Sequence, residues 1–73
     1  MKTIREHRER LGITQSALAM RAGLSSQNIY LYEAGKKVPS AVRLRKIAEA
    51  LGVSMDEILI TDNGNGRRNG DGR

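Results

Sequence analysis

Thr14-Gln15-Ser16-Ala17-Leu18-Ala19-Met20-Arg21-Ala22-Gly23-Leu24-Ser25-Ser26-Gln27-Asn28-Ile29-Tyr30-Leu31-Tyr32-Glu33-Ala34-Gly35 carries two helical patterns on either side of a glycine. In the first, Leu18, Ala19 and Ala22 recur at the spacing of one helix face, and Thr14 stands where an N-cap hydroxyl takes up a free backbone N–H. Gly23 closes it, a residue that enters the left-handed conformation of a helix C-cap at no steric cost. Ser25 repeats the capping signal, and a second helix from about Ser26 to Glu33 turns Ile29 and Tyr32 inward before Gly35 ends it. Two short helices joined through Gly23-Leu24-Ser25 must cross steeply, and the small side chains of Ala19 and Ala22 let them approach. Bulkier residues there would splay the pair.

The flanking sequence supplies the remaining elements. Ile4, His7, Arg8 and Leu11 fall at i, i+3, i+4 and i+7, and Gly12 stops the pattern, so a helix precedes the pair. After Lys36-Lys37-Val38-Pro39, Ser40 starts a fourth helix with Leu44, Ile47, Ala48 and Leu51 on one face and Gly52 just past its end. Ser54 and Glu57 have the capping-box spacing, which predicts a fifth, short helix burying Ile58 or Leu59. No period-two alternation competes over residues 1 to 60. The expected fold class is therefore all-α, with a helix-turn-helix at its centre.

At 73 residues and 38% hydrophobic content, the chain has material for one small core and too little for the cleft of most enzymes. The absence of cysteine excludes a disulfide scaffold or a Cys-ligated zinc site. With neither Trp nor Phe, and Tyr30 and Tyr32 as the only aromatics, the core must be aliphatic, contributing roughly 3–5 kcal/mol unaided. One histidine and scattered surface acids assemble no nucleophile-base pair, carboxylate dyad or metal cluster. No enzyme, cofactor or metal is expected. The longest apolar run, Ala17 to Met20, is far short of a signal h-region or a membrane span, so a soluble, cytoplasmic protein without a membrane partner is expected.

The net charge is +5, and residues 1 to 60 hold most of it, with ten lysines and arginines against six acidic groups. A pI of about 10.3 points to a polyanion as partner. Residues 61 to 73 contain four glycines and no apolar side chain, the composition of a disordered tail. An EF-hand loop starting at Asp62 fails at Gly64, Gly66 and Arg73, and the Gly-Lys-Ser or Gly-Lys-Thr ending of a P-loop is missing.

The ordered set Thr14-Gln15, Leu18-Ala19, Gly23-Leu24-Ser25, Ile29, Tyr32-Glu33-x-Gly35-Lys36, Pro39-Ser40 and Ile47-Ala48-x-x-Leu51-Gly52-Val53-Ser54-x-x-Glu57-Ile58-Leu59 resembles the Cro and phage-repressor type of helix-turn-helix regulators, the XRE family. The resemblance covers about residues 3 to 59. It implies a compact five-helix, lambda-repressor-like DNA-binding domain over residues 1 to 60, whose third helix enters the major groove of double-stranded DNA. Ser26, Gln27 and Leu31 then occupy base-contacting positions, flanked by Asn28 and Tyr30. Gln27 suits adenine through its amide, and Leu31 a thymine methyl. Gln15, Ser25, Lys36, Lys37 and Arg43 fall at phosphate-contacting positions, Ser25 doubling as a cap. Arg8 and Glu33 occupy positions of an internal ion pair.

A short recognition helix reads few base pairs, so a homodimer is expected, at least on DNA, with Met55, Leu59 and Ile60 as interface candidates. The expected function is a sequence-specific transcriptional regulator, a repressor, on a pseudo-palindromic operator. No second domain for an inducer is expected. The rival reading is an antitoxin or adaptor that uses the same fold to hold a protein partner. Taken singly, each lysine is a solvated charge and Gln27 a surface amide. His7 reads as packing or surface, and Met20 and Met55 as gap fillers or interface residues.

Overall fold

The computed structural model describes residues 1–61. Four α-helices follow a two-residue strand: β1 (Lys2–Thr3), α1 (Ile4–Leu11), α2 (Gln15–Ala22), α3 (Ser26–Glu33) and α4 (Ala41–Leu51). A single 3-10 turn, Met55–Glu57, leads to a second strand, β2 (Ile58–Leu59).

Local chemistry sets the helix starts. The hydroxyls of Thr14, Ser25 and Ser40 accept the backbone N–H groups of Ala17, Asn28 and Arg43 at 3.0, 3.1 and 3.3 Å. Each such cap is worth about 1 kcal/mol. Thr3 and Glu6 form a full capping box at α1, with Glu6 N–H donating to the Thr3 hydroxyl at 3.1 Å and Thr3 N–H to the Glu6 carboxylate at 2.9 Å. At the junction of α2 and α3, Gly23 takes φ 71°, and its turn is closed by Leu24 N–H donating to Ala19 C=O at 2.9 Å.

Helix α2 is the centre of the packing, lying against both α3 and α4. Leu18, Ile29 and Ile47, one from each of these three helices, are fully buried, with Ala19, Ala22, Tyr32, Ala48 and Leu51 around them. Ile4, at the start of α1, and Ile58, in β2, complete the core. Leu11, placed by its spacing on the inner face of α1, is instead partly exposed, because the core ends one turn earlier at His7.

The five-helix, all-α expectation is corrected at the end of the domain. Ser54 N–H does donate to the Glu57 carboxylate, at 2.8 Å, but the helix it would start stops after one turn. Ile58 is extended, at φ −106° and ψ 122°, and pairs in parallel with β1, Lys2 opposite Ile58 and Thr3 opposite Leu59. One turn of helix is below the length at which propagation offsets nucleation. Extension lets Ile58 enter the core while Leu59 faces out. The tail reading for residues 61 to 73 lies, beyond Thr61, outside the described residues.

Candidate nucleic-acid interface

Helix α3 meets solvent on one side. Ile29 and Tyr32 face the core, whereas Ser26, Gln27 and Tyr30 are exposed. Asn28 and Leu31 are half-buried, so Leu31 presents less surface than its position in the motif implied. Tyr30, 45% exposed, presents more. Because 26, 27 and 30 share one helix face, an amide, a hydroxyl and part of a phenol are exposed together.

The start of α2 and the end of α3 are joined by a buried charge network. The Glu33 side chain is only 4% exposed and receives Arg8 twice, Nε at 2.7 Å and Nη2 at 3.1 Å. Arg8 Nη1 donates to the carbonyl of Ile13 at 2.9 Å. The hydrogen bonds to Glu33 raise the Arg8 pKa further above its usual value, so the guanidinium is charged at every relevant pH. Gln15 completes the group by donating Nε2 to Glu33 at 3.0 Å. One amide hydrogen and the carbonyl of Gln15 therefore remain for another partner. Nothing local to Gln15 signals this link; Glu33 lies eighteen residues on.

Lys36 and Lys37 lie exposed in the turn after α3. Lys37 Nζ donates to Asn28 Oδ1 at 3.4 Å, a long bond that leaves the ammonium solvated. Arg43, exposed in the first turn of α4, donates Nη1 to the hydroxyl of the buried Tyr32 at 3.3 Å. Ser25 is exposed, and because its oxygen accepts the cap bond, its own O–H is still available to donate. Gln15, Ser25, the two lysines and Arg43 thus come from the ends of α2, α3 and α4.

Away from this side, His7 is buried, with Nε2 at 2.9 Å from the Glu57 carbonyl. A carbonyl only accepts, so Nε2 carries the proton; Nδ1 has no hydrogen-bond partner among the described residues. Three carboxyls are held below the usual range. Thr3 N–H does this for Glu6, the Ser54 hydroxyl for Asp56 and Ser54 N–H for Glu57. Of the interface candidates, Leu59 is 48% exposed, while Met55 and Ile60 are half-buried against the core. Met20 fills no gap: it is exposed.

An exposed polar face on the second helix of a tightly turned pair, with cations at the ends of the neighbouring elements, defines a helix-turn-helix DNA-binding module. The family model described as Helix-turn-helix matches residues 4–58, and the chain belongs to that family, in its XRE type. An uncharacterized HTH-type transcriptional regulator of Methanothermobacter thermautotrophicus is 45% identical over 60 residues, covering 81% of this chain and 87% of the relative. Among solved structures, the restriction-modification controller protein C.AhdI from Aeromonas hydrophila superposes with a TM-score of 0.75 at 32% identity, over 77% of this chain and 85% of that one. The DNA-binding domain of the P22 C2 repressor gives 0.70 at 34% identity, over 73% and 70%. The family is one of DNA-binding transcription regulators, which is not an enzyme class. Among the described residues, no helix is long and apolar enough to cross a membrane.

Proposed function

We propose that the protein is a sequence-specific repressor of transcription that binds a pseudo-palindromic operator as a homodimer, each copy placing α3 in the major groove. The observation that carries this reading is the exposed face of α3, Ser26, Gln27 and Tyr30, with Lys36 and Lys37 immediately beyond its end. Gln27 reads adenine through a bidentate amide pair, Leu31 offers its remaining apolar surface to a thymine methyl, and Ser26, Asn28 and Tyr30 flank them. Gln15, Ser25, Lys36, Lys37 and Arg43 grip phosphates and set the register of the helix. Dimerisation covers Leu59 and the adjoining parts of Met55 and Ile60. Likeness to the DNA-binding domain of the P22 C2 repressor and to a restriction-modification controller protein supports a DNA-binding regulator.

The test is selection of sites from a random duplex library, then titration of the winner at two salt concentrations. An enriched inverted repeat with half-sites about 34 Å apart is the expected result. Absence of enrichment, with only weak salt-sensitive binding, would remove the operator reading and leave a protein partner as the source of specificity.

A further inference from the structure

Between α1, the start of α2 and the end of α3 lies an open cleft of about 330 Å³, lined by Arg5, Arg8, Gln15, Tyr30, Glu33 and Ala34. Two of its lining residues, Arg8 and Glu33, neutralise each other at hydrogen-bond distance. Tyr30 belongs both to this cleft and to the exposed face of α3, so the cleft opens onto the surface that carries Gln27. Arg5 is the cation left over. Its side chain is 66% exposed, and its Nε donates to Glu9, one turn on, at 3.1 Å. Among the described residues no other hydrogen bond engages its guanidinium, so the two terminal nitrogens are open to an anion. An exposed i,i+4 pair of this kind is weak and yields readily to a better-placed anion.

We infer that Arg5 is a further phosphate-contacting residue, which brings α1 into the DNA interface. A backbone phosphate following the groove wall past Tyr30 reaches the cleft, where the Arg5 fork takes two of its oxygens and the free amide hydrogen of Gln15 a third position around it. The assignment rests on the DNA-binding reading above. Its chemistry separates it from the base-reading residues of α3: it adds affinity and salt dependence without sequence preference.

The experiment is a titration of the full chain against its selected duplex over a salt series. Arg5→Ala, Arg5→Lys and Arg45→Ala are compared with the unsubstituted chain. Arg45 is the matched control, because it too is an exposed arginine paired at i,i+4, with Glu49 at 3.9 Å, and it lies on α4 outside the cleft. Arg5→Ala is expected to lower the slope of log K against log salt by about 0.9, which at 0.15 M salt is about a fivefold loss of affinity. Arg5→Lys retains the slope, and Arg45→Ala leaves both quantities near those of the unsubstituted chain. Base preference in the selection stays the same throughout. A slope unaltered by Arg5→Ala overturns the assignment, and so does an Arg45→Ala loss as large as that of Arg5→Ala, which would reduce the effect to net charge. If the unsubstituted chain selects no duplex, it is the DNA-binding reading that falls. If it selects one and Arg5→Ala alone is silent, only the role of Arg5 falls. Because Arg5 is exposed, coincident thermal melts of the variants are expected, and they separate a binding loss from unfolding.

Discussion

On the proposed function, Gln27 and Lys36 separate the two ways in which a side chain contributes to DNA binding. Gln27 stands on the exposed face of α3, so Gln27→Ala is expected to cost about 1–3 kcal/mol at a single base position and to relax preference there. Lys36→Ala should weaken all sequences alike and reduce the salt slope by about 0.9. Identical behaviour of the two variants in a titration against matched and mismatched duplexes would show that α3 is not the reading element. Glu33 bears on stability. It is buried between Arg8 and Gln15, so Glu33→Ala strands an unpaired guanidinium. A loss of about 3–5 kcal/mol in denaturant unfolding is expected, a large part of what so small a core supplies. A surface pair would cost under 1 kcal/mol, and that result would contradict the burial of the network.

The helices of the central pair begin and end where local chemistry places them, and the last segment does not. Thr14, Ser25 and Ser40 cap α2, α3 and α4 because a short hydroxyl side chain reaches the N–H three residues ahead whatever the rest of the molecule does. Ser54 and Glu57 carry a similar signal, yet the backbone leaves the helix at Ile58, where pairing with Lys2 and burial against the core outweigh continued winding. Extended alternation assigns opposite roles to neighbours. Ile58→Ala should cost about 2–5 kcal/mol of stability, whereas Leu59→Ala should leave the unfolding of the monomer nearly unchanged, both read by chemical denaturation. Similar losses at both positions would contradict the alternation of a buried Ile58 and an exposed Leu59. The same turns give the domain an acid sensitivity. Glu6, Asp56 and Glu57 titrate below their ordinary values when folded, so the stability they contribute is complete above the unfolded carboxylate range. It is lost as the pH falls through that range, about 4, and on through the folded values. Melting temperatures between pH 7 and 3 should fall accordingly, and Glu6→Gln with Glu57→Gln should flatten the decline.

Across the whole domain, the first residues of the chain and the segment that follows α4 are brought together. β1 and β2 pair across more than fifty residues of sequence, and His7 Nε2 donates to the Glu57 carbonyl beside them. This ties the segment bearing Leu59 to α1, and through Arg8 and Glu33 α1 is tied to α3. The exposed apolar surface at Leu59 is consequently presented on a rigid body rather than on a loose end. Two copies per operator are expected in sedimentation at stoichiometric duplex, and Leu59→Asp is expected to leave one copy with much weaker binding. A single copy of the unsubstituted chain per full operator would contradict the dimer.

Capping, hydrophobic spacing and the Gly23 turn are short-range properties, and for that reason α1 to α4, the core residues Leu18, Ile29, Ile47 and Leu51, and the helix-turn-helix that places the chain in its family are all legible in the residues alone. The face of α3 was legible to within one residue. Periodicity located Ile29 and Tyr32 inside, but how far Tyr30 emerges and Leu31 withdraws depends on the neighbours packed against them. The strand at Ile58, the donation from Gln15 to Glu33, the seat of His7 and the meeting of Arg5 with Tyr30 in one cleft emerge from the packing of the elements. Each of these joins groups far apart in sequence, where no local pattern records the partner. Their free energy comes from burial and hydrogen bonds that exist only once the elements have packed.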